Sequence, residues 1–236
     1  MLKKSIDKVK QVTKTKPRTT AELERDAKQL KRLERLIDVI FAILIWMILQ
    51  NLPVPSADEF EALSNSEIIK EYQNSFLMIF IGMFLVITYW MQNNRVFGNL
   101  VRTDGRHTVL SLLQMVFLLL YIYTIGFEME FSGRPVALAA QSITLALSGF
   151  TAVIAWAYAK KDRRLLSSAI NDNEAEELKI DIFAEPLAAT FTIPFAFFGP
   201  FAWNLSWISL IFFSWILKRR NKMKMNRREE IINPEY

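Results

Sequence analysis

The sequence predicts an all-α, polytopic membrane protein with six membrane-spanning helices per subunit. The chain of 236 residues is 52% hydrophobic, and its charged residues are concentrated between long apolar runs. Each of these runs approaches the length of about 20 residues that a helix needs to cross the hydrocarbon core of a bilayer. A soluble protein of this composition would instead distribute its apolar residues over short amphipathic segments. The chain has no cysteine, which excludes disulfides and thiolate catalysis.

Turn residues and charges separate the six spans from one another. Pro53 ends the first span, and Pro135 is favourable in the first turn of the fourth. The fifth span is short and contains Pro186 and Pro194, so a re-entrant pair with the sixth span is an alternative for this segment. The predicted spans cover approximately residues 36–52, 76–91, 108–127, 135–159, 182–198 and 201–217.

The charges between the spans predict how the chain is oriented. Basic segments before the first span and after the second, fourth and sixth alternate with non-basic segments after the first, third and fifth. By the positive-inside rule, we expect a multi-pass protein of the cell membrane with both termini in the cytoplasm. The prediction divides the chain into a cytoplasmic basic segment (1–32), a six-helix transmembrane domain (33–218) and a cytoplasmic basic tail (219–236).

The polar segments outside the spans indicate few chemical sites. Residues 1–32 predict a basic tail and a helix from about Thr20, with membrane lipids rather than nucleic acid as the partner. The single histidine, His107, is expected on a solvated loop, and one histidine makes a histidine metal site improbable. Residues 171–177 are expected to form a polar loop, because their pattern is too irregular for a calcium site. We predict no catalytic residue, metal site or cofactor.

Asp38, inside the first apolar run, is the first functional lead. A carboxylate within a membrane helix costs about 2.5–3.5 kcal/mol, so it usually faces a partner or water. If the first two spans pack as an antiparallel hairpin, Asp38 lies at the depth of Trp90, Asn93, Asn94 and Arg95, whose side chains are suitable donors. This arrangement predicts a clamp between two helices, and direct ion binding by Asp38 is the alternative.

The first span also carries an apolar stripe on a different face. With 3.6 residues per helical turn, Asp38 and Ile43 lie about 140° apart. The stripe with Ile43 contains branched or flexible apolar side chains and ends in Gln50. Its members are Leu36, Ile40, Ile43, Met47 and Gln50.

Two motifs give the chain a resemblance to a known family. The first is Arg32-x-x-x-Leu36-Ile37-Asp38, and the second is Trp90-x-x-Asn93-x-x-x-Phe97. They resemble the R-x-x-x-F-S-D and W-x-x-H-x-x-x-F motifs of the lysosomal potassium channel family (transmembrane protein 175), in particular its single-repeat prokaryotic members. This chain departs from the pattern at Leu36-Ile37, which replace Phe-Ser, and at Asn93, which replaces His.

The resemblance implies a homotetramer whose first helices surround a central pathway for potassium or other monovalent cations. At the position of the family's narrowest ring stands Ile43, and Ile40, Met47 and Gln50 would line the same pathway. The bulky Trp46 flanks this face. A polar cluster would hold the pore helix from behind. Its members are Arg32, Asp38, Trp90 and Asn93.

The sequence therefore predicts a potassium-permeable cation channel with weak to moderate selectivity and a hydrophobic constriction. It contains no T-V-G-Y-G-like filter and no span with a basic residue at every third position, which argues against a classical potassium channel and a voltage sensor. A small secondary transporter or a proton-leak pathway is the alternative, suggested by the prolines of the fifth span. No Ser/His/Asp cluster or pair of membrane carboxylates indicates an enzyme.

Overall fold

The computed structural model describes residues 19–52, 54–62, 64–131 and 133–232, and these residues fold into a helical bundle. The all-α class is confirmed, since an isolated bridge between Leu100 and Leu166 is the one β contact in the described part of the chain. Short 3-10 segments follow the fifth and sixth helices, at Lys161–Arg163 and Pro194–Phe198. The helices are α1 (Thr20–Gln50), α2 (Ala57–Ala62), α3 (Asn65–Gly98), α4 (Gly105–Glu130), α5 (Pro135–Lys160), α6 (Asp172–Thr192), α7 (Pro200–Ser206) and α8 (Ser209–Ile232).

Five helical segments of the described chain are long and apolar enough to cross a membrane. They are Ser75–Gly98, Gly105–Glu130, Pro135–Arg163, Asp172–Phe198 and Pro200–Lys224. The first predicted span, in α1, is not among them. Its apolar half begins directly after Glu34 and Arg35 and contains Asp38, so the last 18 residues of α1 include three charged side chains.

Side-chain caps fix where several helices begin. Thr19 and Glu22 form a capping box, in which Thr19 Oγ1 accepts from the Glu22 backbone N–H at 3.3 Å and Glu22 accepts from the Thr19 N–H at 2.9 Å. Such a box satisfies two of the amide groups that a helix start leaves unpaired. The predicted start of this helix near Thr20 is therefore confirmed.

The sixth helix begins earlier than the sequence suggested. Residues 171–177 were expected to form a polar loop, and this expectation is wrong, because Asn171 and Glu174 form another capping box and the helix starts at Asp172. The first six residues of α6, five of them polar, thus belong to the helix despite their low hydropathy, since capping outweighs composition at a helix start. Gly199, at φ 102°, turns the chain between the 3-10 segment and α7.

α5 occupies the centre of the bundle. Its small residues, which include Ala146, Ser148 and Gly149, are buried and let neighbouring helices approach closely. Hydroxyl and indole contacts cross from α5 to other elements. Ser142 meets Thr192 at 2.7 Å, Ser148 donates to the Gln114 carbonyl at 3.2 Å, and the Trp156 indole donates to the Ala175 carbonyl at 3.0 Å.

One end of the bundle collects most of the basic residues, and we name it the basic end. It comprises the start of α1, the connections 99–104 and 161–171, and the end of α8. Backbone hydrogen bonds join the two connections, from Val101 N–H to the Leu165 carbonyl at 3.0 Å and from Ser167 N–H to the Asn99 carbonyl at 2.9 Å. Asp181 on α6 binds Arg95 at 3.3 Å and Lys218 at 3.1 Å, which fixes α3 and α8 to the same end.

Candidate functional site

α1 presents two different faces. One face forms a buried seam that packs against α3 and α4 and recurs every three or four residues, as an amphipathic helix requires. The seam consists of Leu30, Leu33, Ile37, Phe41, Leu44 and Ile48. On the opposite face the exposed fractions are 56% for Val39, 46% for Ile43 and 62% for Trp46. Within the protomer, α1 therefore buries only one side of its apolar half.

The four residues predicted to line a pore lie along one flank of this exposed face. Ile43 and Gln50 are exposed, whereas Ile40 and Met47 are half-buried. Trp46, which is more exposed than Ile43, projects directly away from the buried seam. The flank is a strip of uncharged side chains about three turns long that is only partly covered within the protomer.

Asp38 and Trp90 meet on the other flank of α1. The Trp90 indole N–H donates to Asp38 Oδ1 at 3.1 Å, and both side chains are exposed on the protomer surface. The bond links the middle of α1 to the last turns of α3, two helices that run antiparallel. Asp38 is thus held by a neighbouring helix, although it is not buried within the single chain.

The other two members of the predicted polar cluster lie elsewhere. Arg32 is exposed and lines an open groove of about 470 Å³ between α1 and α4, beside Gly105 and Thr108. Asn93 is buried, and its side-chain amide donates to the Tyr89 carbonyl at 3.0 Å within α3. The structure therefore brings together two of the four residues, because Arg32 faces the groove beside α4 and Asn93 points into the bundle.

His107 is buried, so the expectation of a solvated loop residue is wrong. Its side chain is 1% exposed in the first turns of α4, where its Nδ1 lies 3.0 Å from Thr103 Oγ1 and its ring meets the edge of Phe97. Nε2 is enclosed without a hydrogen-bond partner in the described residues. With Asn93 and Gln114, His107 lines a cavity of about 10 Å³, close to the space that one water molecule needs.

A second carboxylate inside the bundle, Glu185, was missed in the sequence. The Tyr89 hydroxyl donates to Glu185 Oε2, and Oε1 is enclosed without a hydrogen-bond partner among the described residues. Gly149 makes room for this carboxylate, since a Cβ there would lie 2.7 Å from Oε2 and 2.9 Å from the ring of Pro186. The signal was available, because Glu185 interrupts the apolar run 182–198 as Asp38 interrupts the first run.

Two consecutive residues of α3 reach both carboxylates. Adjacent side chains on a helix point about 100° apart, so Tyr89 and Trp90 necessarily face different neighbours. Tyr89 is buried and contacts Glu185 on α6, whereas Trp90 is exposed and contacts Asp38 on α1. α3 therefore hydrogen-bonds to both α1 and the interior of the bundle at nearly the same depth.

A polar contact at the basic end joins α4 to α5. Asp104 caps α4 by accepting from the His107 backbone N–H at 3.0 Å and also accepts from the Tyr158 hydroxyl at 2.7 Å. Arg164 in turn donates to the Tyr158 hydroxyl at 2.9 Å. Partial burial raises the pKa of Asp104, but these hydrogen bonds and the nearby charge of Arg164 outweigh it and hold that pKa below its ordinary value.

The fold and this arrangement define a multi-pass helical membrane protein whose polar side-chain contacts join neighbouring helices. Among the residues that the structure describes, no group of three or more His, Cys, Asp or Glu side chains is placed to hold a metal ion. The polar contacts instead join helices, as Trp90–Asp38 and Tyr89–Glu185 illustrate.

Comparison with known proteins finds similarity to a family of ion channels. The family model described as endosomal/lysosomal potassium channel TMEM175 matches residues 32–121, a range that contains both motifs. A solved structure of a lysosomal potassium-selective channel TMEM175 homologue from Chamaesiphon minutus has the same fold, with a TM-score of 0.66 and 17% sequence identity over 82% of this chain and 98% of that one. No curated protein sequence matches the chain. Both matches confirm the resemblance to the TMEM175 family that the two motifs indicated, a family described as potassium channels.

Proposed function

We propose that the chain is one subunit of a potassium-permeable cation channel, in which four copies surround a central pathway lined by α1. The matched family is one of potassium channels, and the structural relative is a potassium-selective channel. In this proposal each subunit crosses the cell membrane six times, and both of its termini lie in the cytoplasm. The alternating basic segments of the sequence support that orientation.

The observation that carries the proposal is the uncovered face of α1. Ile43 and Trp46 are about half exposed or more, whereas Phe41 and Leu44 of the same turns are 2% and 0% exposed. The exposed apolar strip is bounded by Arg32 and Arg35 at the basic end and by Gln50 at the other end. A strip with polar residues at both ends suits a water-filled pathway that narrows at its middle.

Ile43 is the constriction in this proposal. Four isoleucine side chains around an axis form a narrow apolar ring that excludes water and therefore blocks ions. A small rotation or outward shift of α1 would widen the ring and admit partly hydrated cations. Because the chain has no carbonyl filter sequence, selectivity for K⁺ comes from partial dehydration and is weak to moderate. Ile40, Met47 and Gln50 form further layers of the same pathway.

A flux assay with matched variants tests the constriction. Purified protein in liposomes is loaded with K⁺ or Na⁺, and the flux of wild-type protein is compared with that of Ile43→Asn and Leu49→Asn. Leu49 is also exposed, at 39%, but it lies on the flank of α1 that holds Asp38. We expect K⁺ flux to rise several-fold in Ile43→Asn alone, because a polar ring stays wet. An unchanged flux, or an equal rise in both variants, would remove Ile43 from the pore.

Cysteine cross-linking tests the assembly. The chain has no native cysteine, so Ile43→Cys and Leu49→Cys each introduce a single thiol. We expect mild oxidation to link Ile43→Cys subunits into disulfide dimers and a thiol reagent to block their K⁺ flux. Leu49→Cys is the matched control and should give little of either. Monomers alone after oxidation of Ile43→Cys would contradict a pathway at the axis of four α1 helices.

A small secondary transporter or a proton-leak pathway is the second candidate, and Glu185 is the observation that favours it. Intramembrane carboxylates often mark proton or substrate pathways in transporters. A transporter would show saturable, coupled uptake, whereas a channel shows uncoupled flux. If proton flux into liposomes is lost in Glu185→Gln while Ile43→Asn leaves K⁺ flux unchanged, the second candidate replaces the first.

A further inference from the structure

A cavity of about 690 Å³ opens at the basic end between α5, α6 and α8. Five cationic and three acidic side chains line it, so its charge is positive. The cations are Lys160, Arg163, Lys179, Arg220 and Lys224. The Asp38–Trp90 contact on α1 does not involve this cavity, which is lined by residues from the second half of the chain.

The cavity has a polar mouth and an apolar floor. Each of the three helices contributes one charged residue to the mouth and one apolar residue to the floor. Lys160 and Val153 on α5, Glu176 and Phe183 on α6, and Lys224 and Leu217 on α8 all line it. Each pair is separated by seven residues, which is two helical turns or about 10.5 Å along the axis. Because the three helices alternate in direction, the charged member of every pair lies at the basic end and the apolar member lies deeper.

The cationic side chains of the mouth differ in whether they form ion pairs with acidic side chains. Lys160 pairs with Glu176, and Arg163 pairs with Asp172 at 2.5 Å, which leaves these four groups largely neutralised. Lys179 also pairs with Glu176, at 3.7 Å, whereas no ion pair among the described residues involves Arg220 or Lys224. They lie four residues apart and thus on one face of α8, above Leu217. This pair of cations carries most of the attraction for an anion in the mouth.

We propose that this cavity binds the headgroup of an anionic phospholipid, with its phosphate between Arg220 and Lys224 and its acyl chains along the apolar floor. A phosphate group supplies the charge that the mouth favours, and basic pockets between membrane helices recognise such headgroups. A soluble phosphate compound shares that chemistry. The floor of Val153, Phe183 and Leu217 favours the lipid, because a free anion gains nothing from an apolar wall about 10 Å below its charge. The volume lies within the range of ligand pockets, about 300–1,000 Å³.

The position in the membrane agrees with this ligand. The helical segments that are long enough to span end near the cavity, at Arg163, Asp172 and Lys224. The mouth therefore lies at headgroup level, and the floor lies at the level of the first acyl carbons. Because the inference uses only the ends of α5, α6 and α8, it holds whether or not α1 lines a pore.

Lipid binding to the purified full-length chain tests the proposal with a charge-matched control on the same helix. Native mass spectrometry in detergent compares palmitoyl-oleoyl phosphatidylglycerol with the phosphatidylcholine of the same chains. The test variant is Arg220→Gln/Lys224→Gln. The control is Arg219→Gln/Lys222→Gln, which also removes two charges; Arg219 stacks on Trp215, and neither residue lines the cavity.

We expect phosphatidylglycerol to bind more tightly than phosphatidylcholine and the test variant to bind it about tenfold more weakly than wild-type protein. The control should stay within about twofold. Equal binding of the two lipids, or an equal loss in both variants, would overturn the site. If glycerol 3-phosphate bound as tightly as phosphatidylglycerol, the phosphate would belong to a soluble compound and the lipid proposal would be wrong. Should the double variant not fold, Lys224→Gln alone with Lys222→Gln as its control makes the same comparison at one exposed position.

Discussion

α1 and α5 are both long helices of this chain, yet they relate to the protomer in opposite ways. α5 is enclosed, with 67% of its apolar stretch buried, and its hydroxyl and indole groups bond to neighbouring elements. α1 buries a single seam and leaves Val39, Ile43 and Trp46 uncovered. The difference lies in side-chain size, since the small residues of α5 let several neighbouring helices approach closely. α5 therefore serves as the scaffold, and α1 offers the free surface on which assembly and conduction can depend.

The largest effect should come from the buried seam of α1. Leu44 is completely buried, so Leu44→Ala should lower the free energy of unfolding by about 2–5 kcal/mol through lost contacts and a cavity. Ile43→Ala, one residue away on the exposed face, should change it by less than about 0.5 kcal/mol in the monomer. Denaturation of the purified protein in detergent measures both. Equal losses would mean that α1 has no distinct free face.

The close approach of α5 and α6 gives the next largest effect. Gly149→Ala places a Cβ 2.7 Å from Glu185 Oε2 and 2.9 Å from Pro186, whose ring cannot move away. We expect a loss of about 1–3 kcal/mol from overpacking. Gly98→Ala is the matched control, because a Cβ there meets nothing within 4 Å. Thermal unfolding of the two variants should differ clearly. A stable Gly149→Ala protein would show that α5 is packed more loosely than described.

Tyr89→Phe tests the interior hydrogen bond of α3. The variant leaves Glu185 Oε2 without its donor, and we expect a loss of about 1–2 kcal/mol in the free energy of unfolding. Tyr123→Phe removes a hydroxyl from a residue that is 68% exposed and should have no measurable effect. The same unfolding assay applies. Indistinguishable variants would contradict a structural role for the Tyr89–Glu185 contact.

The contact of Asp104 predicts a dependence on pH. Its lowered pKa means that the charged form stabilises the fold fully above the carboxyl's ordinary pKa of about 4, and that this contribution is lost as pH falls through the lowered value. Asp104→Asn keeps a capping side chain but removes the charge. We therefore expect wild-type protein to be the more stable of the two at pH 6 and the difference to shrink towards pH 3. A difference that grows on acidification would contradict this sign.

The smallest effect should come from the exposed contact between α1 and α3. Trp90→Phe removes the donor to Asp38, but both side chains are exposed, so we expect a loss of no more than about 1 kcal/mol. Trp46→Phe is the matched control on the uncovered face of α1. A large loss in Trp90→Phe, measured by the same denaturation, would place this contact in the core rather than on the surface.

Much of the fold could be predicted from local patterns. Helix starts at Thr20 and Pro135 follow from a capping box and a favourable first-turn proline, which are properties of neighbouring residues. The proximity of Asp38 and Trp90 could be inferred because two adjacent antiparallel helices place them at one depth. The start of α6 at Asp172 was missed because polar composition was given more weight than the cap at Asn171.

The sequence by itself determined that this is a helical membrane protein, and its two motifs indicated a resemblance to a channel family, because hydropathy and motif spacing are properties of the linear sequence. Only the tertiary structure decided which side of each helix is covered. It buried His107, turned Asn93 inward and enclosed Glu185 beside Gly149. Those outcomes depend on the helix that packs against each residue, and residues far apart in the sequence, such as Tyr89 and Glu185, meet only when the bundle closes.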